Sequence, residues 1–155
     1  MLTINYNKLP ITLHFFSSYS AFLIFITYSL RIFFNTNILK EFSTYLYGLA
    51  WGVGICGLLI DMVYSKKIIA KYGLTHIDLV LTELLVHIIP LIIVQMYSPH
   101  KRKTPIWILC VFPLILGGLY LLLFDFTKIY PGVPLWIFII LYPCIVIGSV
   151  LLKYL

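Results

Sequence analysis

Charge is scarce in this chain. Of 155 residues only 10% are charged, and five acidic residues face eleven lysines and arginines. An ordinary globular domain carries about 25% charged residues, so water is excluded as the main solvent for most of this surface. Cysteine is sparse too, with three residues and no C-x-x-C pair. Cys56, Cys110 and Cys144 all fall inside apolar stretches, where a thiol behaves as a small buried hydrophobe. An odd number without paired spacing excludes a disulfide framework or a cysteine zinc site. Internal repeats, low-complexity tracts and linkers are missing, and no small-residue cleavage site follows the first apolar stretch. That stretch therefore reads as a retained helix and not as a removed signal.

What fills the chain is apolar: 62% of residues are hydrophobic and the mean hydropathy is +1.05. A hydrocarbon layer about 30 Å thick takes roughly 20 apolar residues per helix. Five stretches meet that length, at about 14–34, 44–63, 79–97, 106–124 and 134–152. The expected fold is an all-α polytopic transmembrane helix bundle, with residues 1–155 forming a single integral membrane domain. Between the spans, Tyr64 to His76 reads as a basic loop with Lys66, Lys67 and Lys71. A second basic loop, Ser98 to Pro105, holds Lys101, Arg102 and Lys103. Tyr130, Pro131 and Gly132 make an interfacial turn. The net charge of +6 sits in such short loops, where positive-inside sorting and anionic headgroups explain it. Membrane lipids, and no nucleic acid, are the expected partners.

Orientation is balanced between two readings. Five crossings divide the basic residues almost evenly between the two sides, whereas a re-entrant Leu79 to Tyr97 would leave four crossings with both basic loops on one side, a better fit to the positive-inside rule. The length of that segment favours a full crossing. Gly48 and Gly52 lie four apart on one helix face, with Gly54 and Gly57 nearby, and so offer a close-approach surface to another helix of the bundle or of a partner.

Ionisable side chains at membrane depth are costly to insert and mark function more often than chance. Glu83 and His87 stand at i, i+4 and stack on one helix face, close enough for the carboxylate to hold the imidazole. Pro90 follows, leaving the Val86 carbonyl without its helical donor and predicting a kink. The structural alternative has equal weight: Glu83 and His87 satisfy each other, or pair with Arg31 or Asp61, and lock helix packing. One intramembrane histidine with scattered carboxylates has no recognised metal-ligand spacing, and His76 and His100 fall in loops, so neither a metal nor a cofactor is expected. Asp61 and Asp125 lie near span ends, within reach of headgroup water.

Three stretches carry a likeness to a known family. The second span opens Phe42, Ser43, Thr44, Tyr45, Leu46. The third reads HIDLVLTELLVHIIPLIIVQMYSPH, and Tyr130 and Pro131 precede the last helix. In these the chain resembles the androgen-induced-1-like family of polytopic membrane threonine hydrolases of fatty-acid esters of hydroxy fatty acids. That family has six helices where five are counted here. The resemblance implies Thr44 as nucleophile, His87 as its general base, Glu83 as a group orienting the imidazole, a lipid ester as substrate and, in a eukaryote, the endoplasmic reticulum as location. For Thr44 the plain alternative is that its hydroxyl bonds a nearby carbonyl, as threonines near helix starts do. Two other classes stay open: a non-catalytic scaffold that binds partners through Gly48 and Gly52, and a small proton-coupled transporter with Glu83 and His87 as its relay.

Overall fold

The computed structural model describes residues 15–97 and 104–155. The tail with Lys8, the predicted first-span residue His14, and the basic loop with His100, Lys101, Arg102 and Lys103 lie outside the described residues. Among the described residues five helices are long and apolar enough to cross a membrane: α1 (Phe16–Phe34), α2 (Asn37–Tyr72), α3 (His76–Tyr97), α4 (Ile106–Leu123) and, after the single-turn α5 (Phe126–Ile129), α6 (Leu135–Tyr154). The chain is thus an all-α bundle of five spans, consistent with a multi-pass integral membrane protein.

The boundaries follow local chemistry. Asn35 adopts the left-handed conformation (φ 43°) and closes α1, and the Thr36 hydroxyl accepts from the Leu39 amide to start α2. The second helix starts earlier and runs nine residues further than the expected 44–63. The segment read as a basic loop is helical as far as Tyr72, because nothing between Val63 and Gly73 breaks a helix. Gly73, at φ 63°, is the first residue that does. Thr75 and Asp78 then form a reciprocal capping box, so α3 begins three residues before the expected Leu79. At the same end Asp125 caps α5, and the Thr127 hydroxyl donates to its carboxylate, which holds that carboxyl below the usual range.

Helix α2 is the hub. Over its most apolar window 56% is buried inside the bundle, against 17–39% for the other spans, and it packs on α1, α3, α4 and α6. Inside hydrocarbon, lipid tails are as apolar as leucine, so close van der Waals contact and not hydrophobic burial holds helices together. The glycines supply that contact. A Cβ at Gly52 would lie 2.5 Å from Val146 and 2.8 Å from the Tyr142 ring, and one at Gly48 would lie 3.3 Å from the Leu109 carbonyl oxygen. That carbonyl is the one Pro113 deprives of its helical donor. The glycine face is therefore occupied by α4 and α6 of the same chain.

Consecutive spans alternate in direction. The Tyr28 hydroxyl donates to the Ser43 carbonyl, Tyr47 to Gln95 Oε1, Tyr142 to the Pro113 carbonyl and Tyr154 to the Thr104 carbonyl, all at 3.0–3.3 Å. Lys66, Lys67, Lys71 and Lys128 accordingly share one end of the bundle, and Arg31, Lys40 and Lys153 the other. Arg31 is held there by the Tyr97 carbonyl and the Ser43 hydroxyl. Helix α3 runs unbroken from the first end to the second, as a full crossing does.

Two outcomes are expected. Single cysteines at Lys71 and Leu155 label from opposite sides of the membrane with an impermeant thiol reagent, while labelling from one side establishes the re-entrant arrangement. Gly52→Ala destabilises the detergent-solubilised protein by about 1–3 kcal/mol through overpacking. Gly148→Ala, where a Cβ meets nothing within 4 Å, leaves thermal stability unchanged.

Candidate functional site

The site is built where α2 and α3 cross. Residues Glu83–Ile88 of α3 form a π-helical segment, closed by the Ile89 amide bonding the Leu84 carbonyl. This segment lies just before Pro90, and its extra residue per turn spreads the strain of the missing donor. It also keeps Glu83 and His87 aligned, with His87 Nδ1 2.7 Å from Glu83 Oε2. Opposite them α2 presents Gly57 and, one turn on, Asp61. A Cβ at Gly57 would collide with the imidazole, at 2.7 Å from both Cδ2 and Cε1, so the ring lies flat on a glycine. That contact buries His87 to 3% exposure.

Asp61, Glu83 and His87 each bring one donor atom into a group whose members all lie within 4.8 Å of one another. The two carboxyls are within hydrogen-bonding range. Asp61, expected to reach headgroup water, instead faces inward because α2 continues about three more turns beyond it. His87 Nε2 and Glu83 Oε1 are both buried with no hydrogen-bond partner. Neither ion pair among the described residues brings a lysine or arginine to the cluster. Two carboxylates beside a neutral imidazole would leave an uncompensated double charge in an apolar site, so the cluster holds protons or takes up a cation.

A cavity of about 710 Å³ opens beside the cluster, lined mainly by apolar side chains of α1, α2 and α3 and by Tyr130, Phe138 and Tyr142. It reaches from Leu74 and Asp78, at the lysine-rich end, to His87, halfway along α3 and about 16 Å in at 1.5 Å per residue. Helix α1 packs on the π-helical segment and on the last turns of α3 but not closely on its first turns. The gap is rimmed by Phe22, Leu81 and Leu85, which are 65%, 51% and 53% exposed. The cavity thus meets both the bundle end and the lipid-facing surface. Its titratable lining is Asp61 and Cys56 from α2, Asp78 and His87 from α3, Tyr130 from the turn and Tyr142 from α6.

Glu83 and His87 are brought together as the i, i+4 spacing predicts. Thr44 is not brought to them. Its hydroxyl donates to the Lys40 carbonyl at 3.0 Å, it is fully buried, and it lies about 20 Å along α2 from Gly57. The hydroxyl-bearing residues on the cavity wall are Ser17, Ser18, Thr82, Tyr130 and Tyr142 instead. Thr82 donates to the Asp78 carbonyl. The three groups of the cluster, Asp61, Glu83 and His87, lie close enough together to reach one cation, a proximity their spacing along the sequence does not announce. No family model, curated protein or solved structure matches this chain.

Glu83→Leu leaves His87 buried and unpaired, and a loss of about 1–3 kcal/mol is expected. Ile92→Leu, on the lipid-facing side, changes stability by less than about 0.5 kcal/mol. Equal melting temperatures for the two variants in one detergent would show that the carboxylate does not hold the imidazole.

Proposed function

We propose that this protein is a proton-linked carrier of a membrane amphipath, with Asp61, Glu83 and His87 as the exchange centre. One observation carries the reading: Asp61 and His87, from a cluster of two carboxyls and an imidazole that no basic side chain joins in an ion pair among the described residues, line a cavity that meets both the bundle end and the lipid. Intramembrane ionisable groups in such a position serve proton relays and coupled binding. The π-helical segment places them on the least regular stretch of the bundle, where π-bulges are often found at functional sites.

The hydrolase reading draws on a different observation, the 2.7 Å contact between Glu83 and His87 that polarises the imidazole. On that reading water is the nucleophile, because Thr44 lies at the other end of α2 from the histidine. The water proton passes to the imidazole and the hydroxide adds to an ester carbonyl; the leaving alkoxide then takes the proton back. The family likeness, a lipid ester as substrate and an endoplasmic-reticulum location in a eukaryote all belong to this reading. The scaffold reading rests on Gly48 and Gly52, which meet helices of the same chain.

Proteoliposomes containing a pH dye separate these readings. An alkylamine, a fatty acid and a fatty-acid ester are presented in turn, with protein-free vesicles as background. At least one is expected to drive proton movement above background with the wild type and to lose that excess with Glu83→Gln. Ester cleavage that survives Thr44→Ala and disappears with His87→Ala identifies the hydrolase instead. Neither activity in the wild type refutes both.

A further inference from the structure

We infer that the ligand of this centre is a cationic amphipath whose head is an ammonium group. This names the ligand class of the carrier reading and rests on it.

Once its exchangeable proton has left, the centre offers only acceptors. With His87 Nδ1 committed to Glu83 Oε2, the atoms left are His87 Nε2, Glu83 Oε1 and the Asp61 carboxyl. A neutral imidazole protonated at Nδ1 has only a lone pair at Nε2, and an ionised carboxylate only accepts. On that deprotonated centre an ester carbonyl or a carboxylate ligand finds no donor, whereas an ammonium group brings three donors and a positive charge. His87 is 3% exposed with Nε2 unpartnered, and a buried polar atom of that kind calls for a partner.

The spacing suits an ammonium group. Charge-assisted N–H···O bonds of about 2.8 Å in tetrahedral directions set their acceptors roughly 4.6 Å apart. One donor atom from each of Asp61, Glu83 and His87 lies within 4.8 Å of the others, a spread that one ammonium head bridges.

The tail has its place in the same cavity. Its volume of about 710 Å³ falls within the usual 300–1,000 Å³ of small-molecule sites. The walls are aromatic and aliphatic, and the gap at Phe22, Leu81 and Leu85 lets a chain enter from the lipid. Charge balance adds the coupling. When one ammonium displaces one proton from the centre, the proton leaves for bulk water and the net charge of the site is unchanged, which a site in hydrocarbon demands. The stoichiometry is one cation bound for one proton released.

The test uses the full chain in nanodiscs of zwitterionic lipid. Binding of dodecylammonium, dodecanol, dodecanoate and dodecyltrimethylammonium is followed by calorimetry in two buffers of different protonation enthalpy. Dodecylammonium is expected to bind at least about 30-fold more tightly than dodecanol, with close to one proton released, and dodecanoate not to bind. The trimethylated cation, which cannot donate, binds at least tenfold more weakly than the primary amine. Glu83→Gln and Asp61→Asn each reduce amine binding about 30-fold. The comparison among the four ligands on the wild type needs no variant and stands even if both variants misfold. Equal affinity for amine and alcohol, tighter binding of the carboxylate, or binding of the amine without proton release overturns the proposal. Amine binding without amine-driven proton movement in vesicles keeps the ligand class and ends the carrier reading; proton movement driven by a ligand other than the amine does the reverse.

Discussion

The bundle depends on how closely α2 is approached by its neighbours. Where lipid and protein are equally apolar, helices gain little by hiding leucine, and association rests on short contacts between surfaces with nothing in the way. Gly48 and Gly52 give α2 such a surface toward α4 and α6, and Gly57 gives it one toward α3. The same device thus serves packing at one end and the site at the other. At Gly52 the neighbours are a valine and a tyrosine ring; at Gly57 the neighbour is an imidazole, and the price of that contact is a nitrogen with no partner.

Around this hub the aromatic residues divide the work. Phe16, Tyr120, Phe138 and Tyr142 stack across α1, α4 and α6, with the Phe138 and Tyr142 rings 5.3 Å apart and nearly parallel. Phe126 and Tyr130 extend the stack into the turn, and the Tyr72 hydroxyl ties the end of α2 to the Ile129 carbonyl. These contacts form the closed side of the cavity. The open side, between α1 and the first turns of α3, is rimmed by Phe22, Leu81 and Leu85, with no stacked ring pair there among the described residues. Rigidity and access are placed on opposite walls.

Much of the fold was legible in the sequence because hydrocarbon imposes a length, and five apolar runs satisfy it. The ends were less legible. Lys66 and Lys71 suggest a loop by charge, yet lysine is a good helix former, and only Gly73 stops α2. The pair of Glu83 and His87 could be read from its spacing, since i, i+4 neighbours meet on any helix. Asp61 was harder, because its role depends on α2 continuing past the apolar run and on the pairing of α2 with α3, neither of which a local pattern contains. Gly57 was visible as a small residue but not as a seat for a ring. Thr44 shows the limit of short motifs: Phe42 to Leu46 resembles a nucleophile segment, while the hydroxyl bonds Lys40 as helix-start threonines ordinarily do.

The π-helical segment makes α3 unusually sensitive to chain length. A π-bulge contains one residue more than the α-helical turn it replaces. Removing a single residue from Glu83–Ile88 would restore regular α-helical bonding and leave the apolar character of the span intact. It would also turn everything before the deletion by about 100° relative to everything after it, the rotation one residue makes on a 3.6-residue helix. His87 would keep its seat on Gly57 while Glu83 swung toward lipid. One codon therefore separates a bundle in which Glu83 and His87 pair from an equally hydrophobic bundle in which they do not.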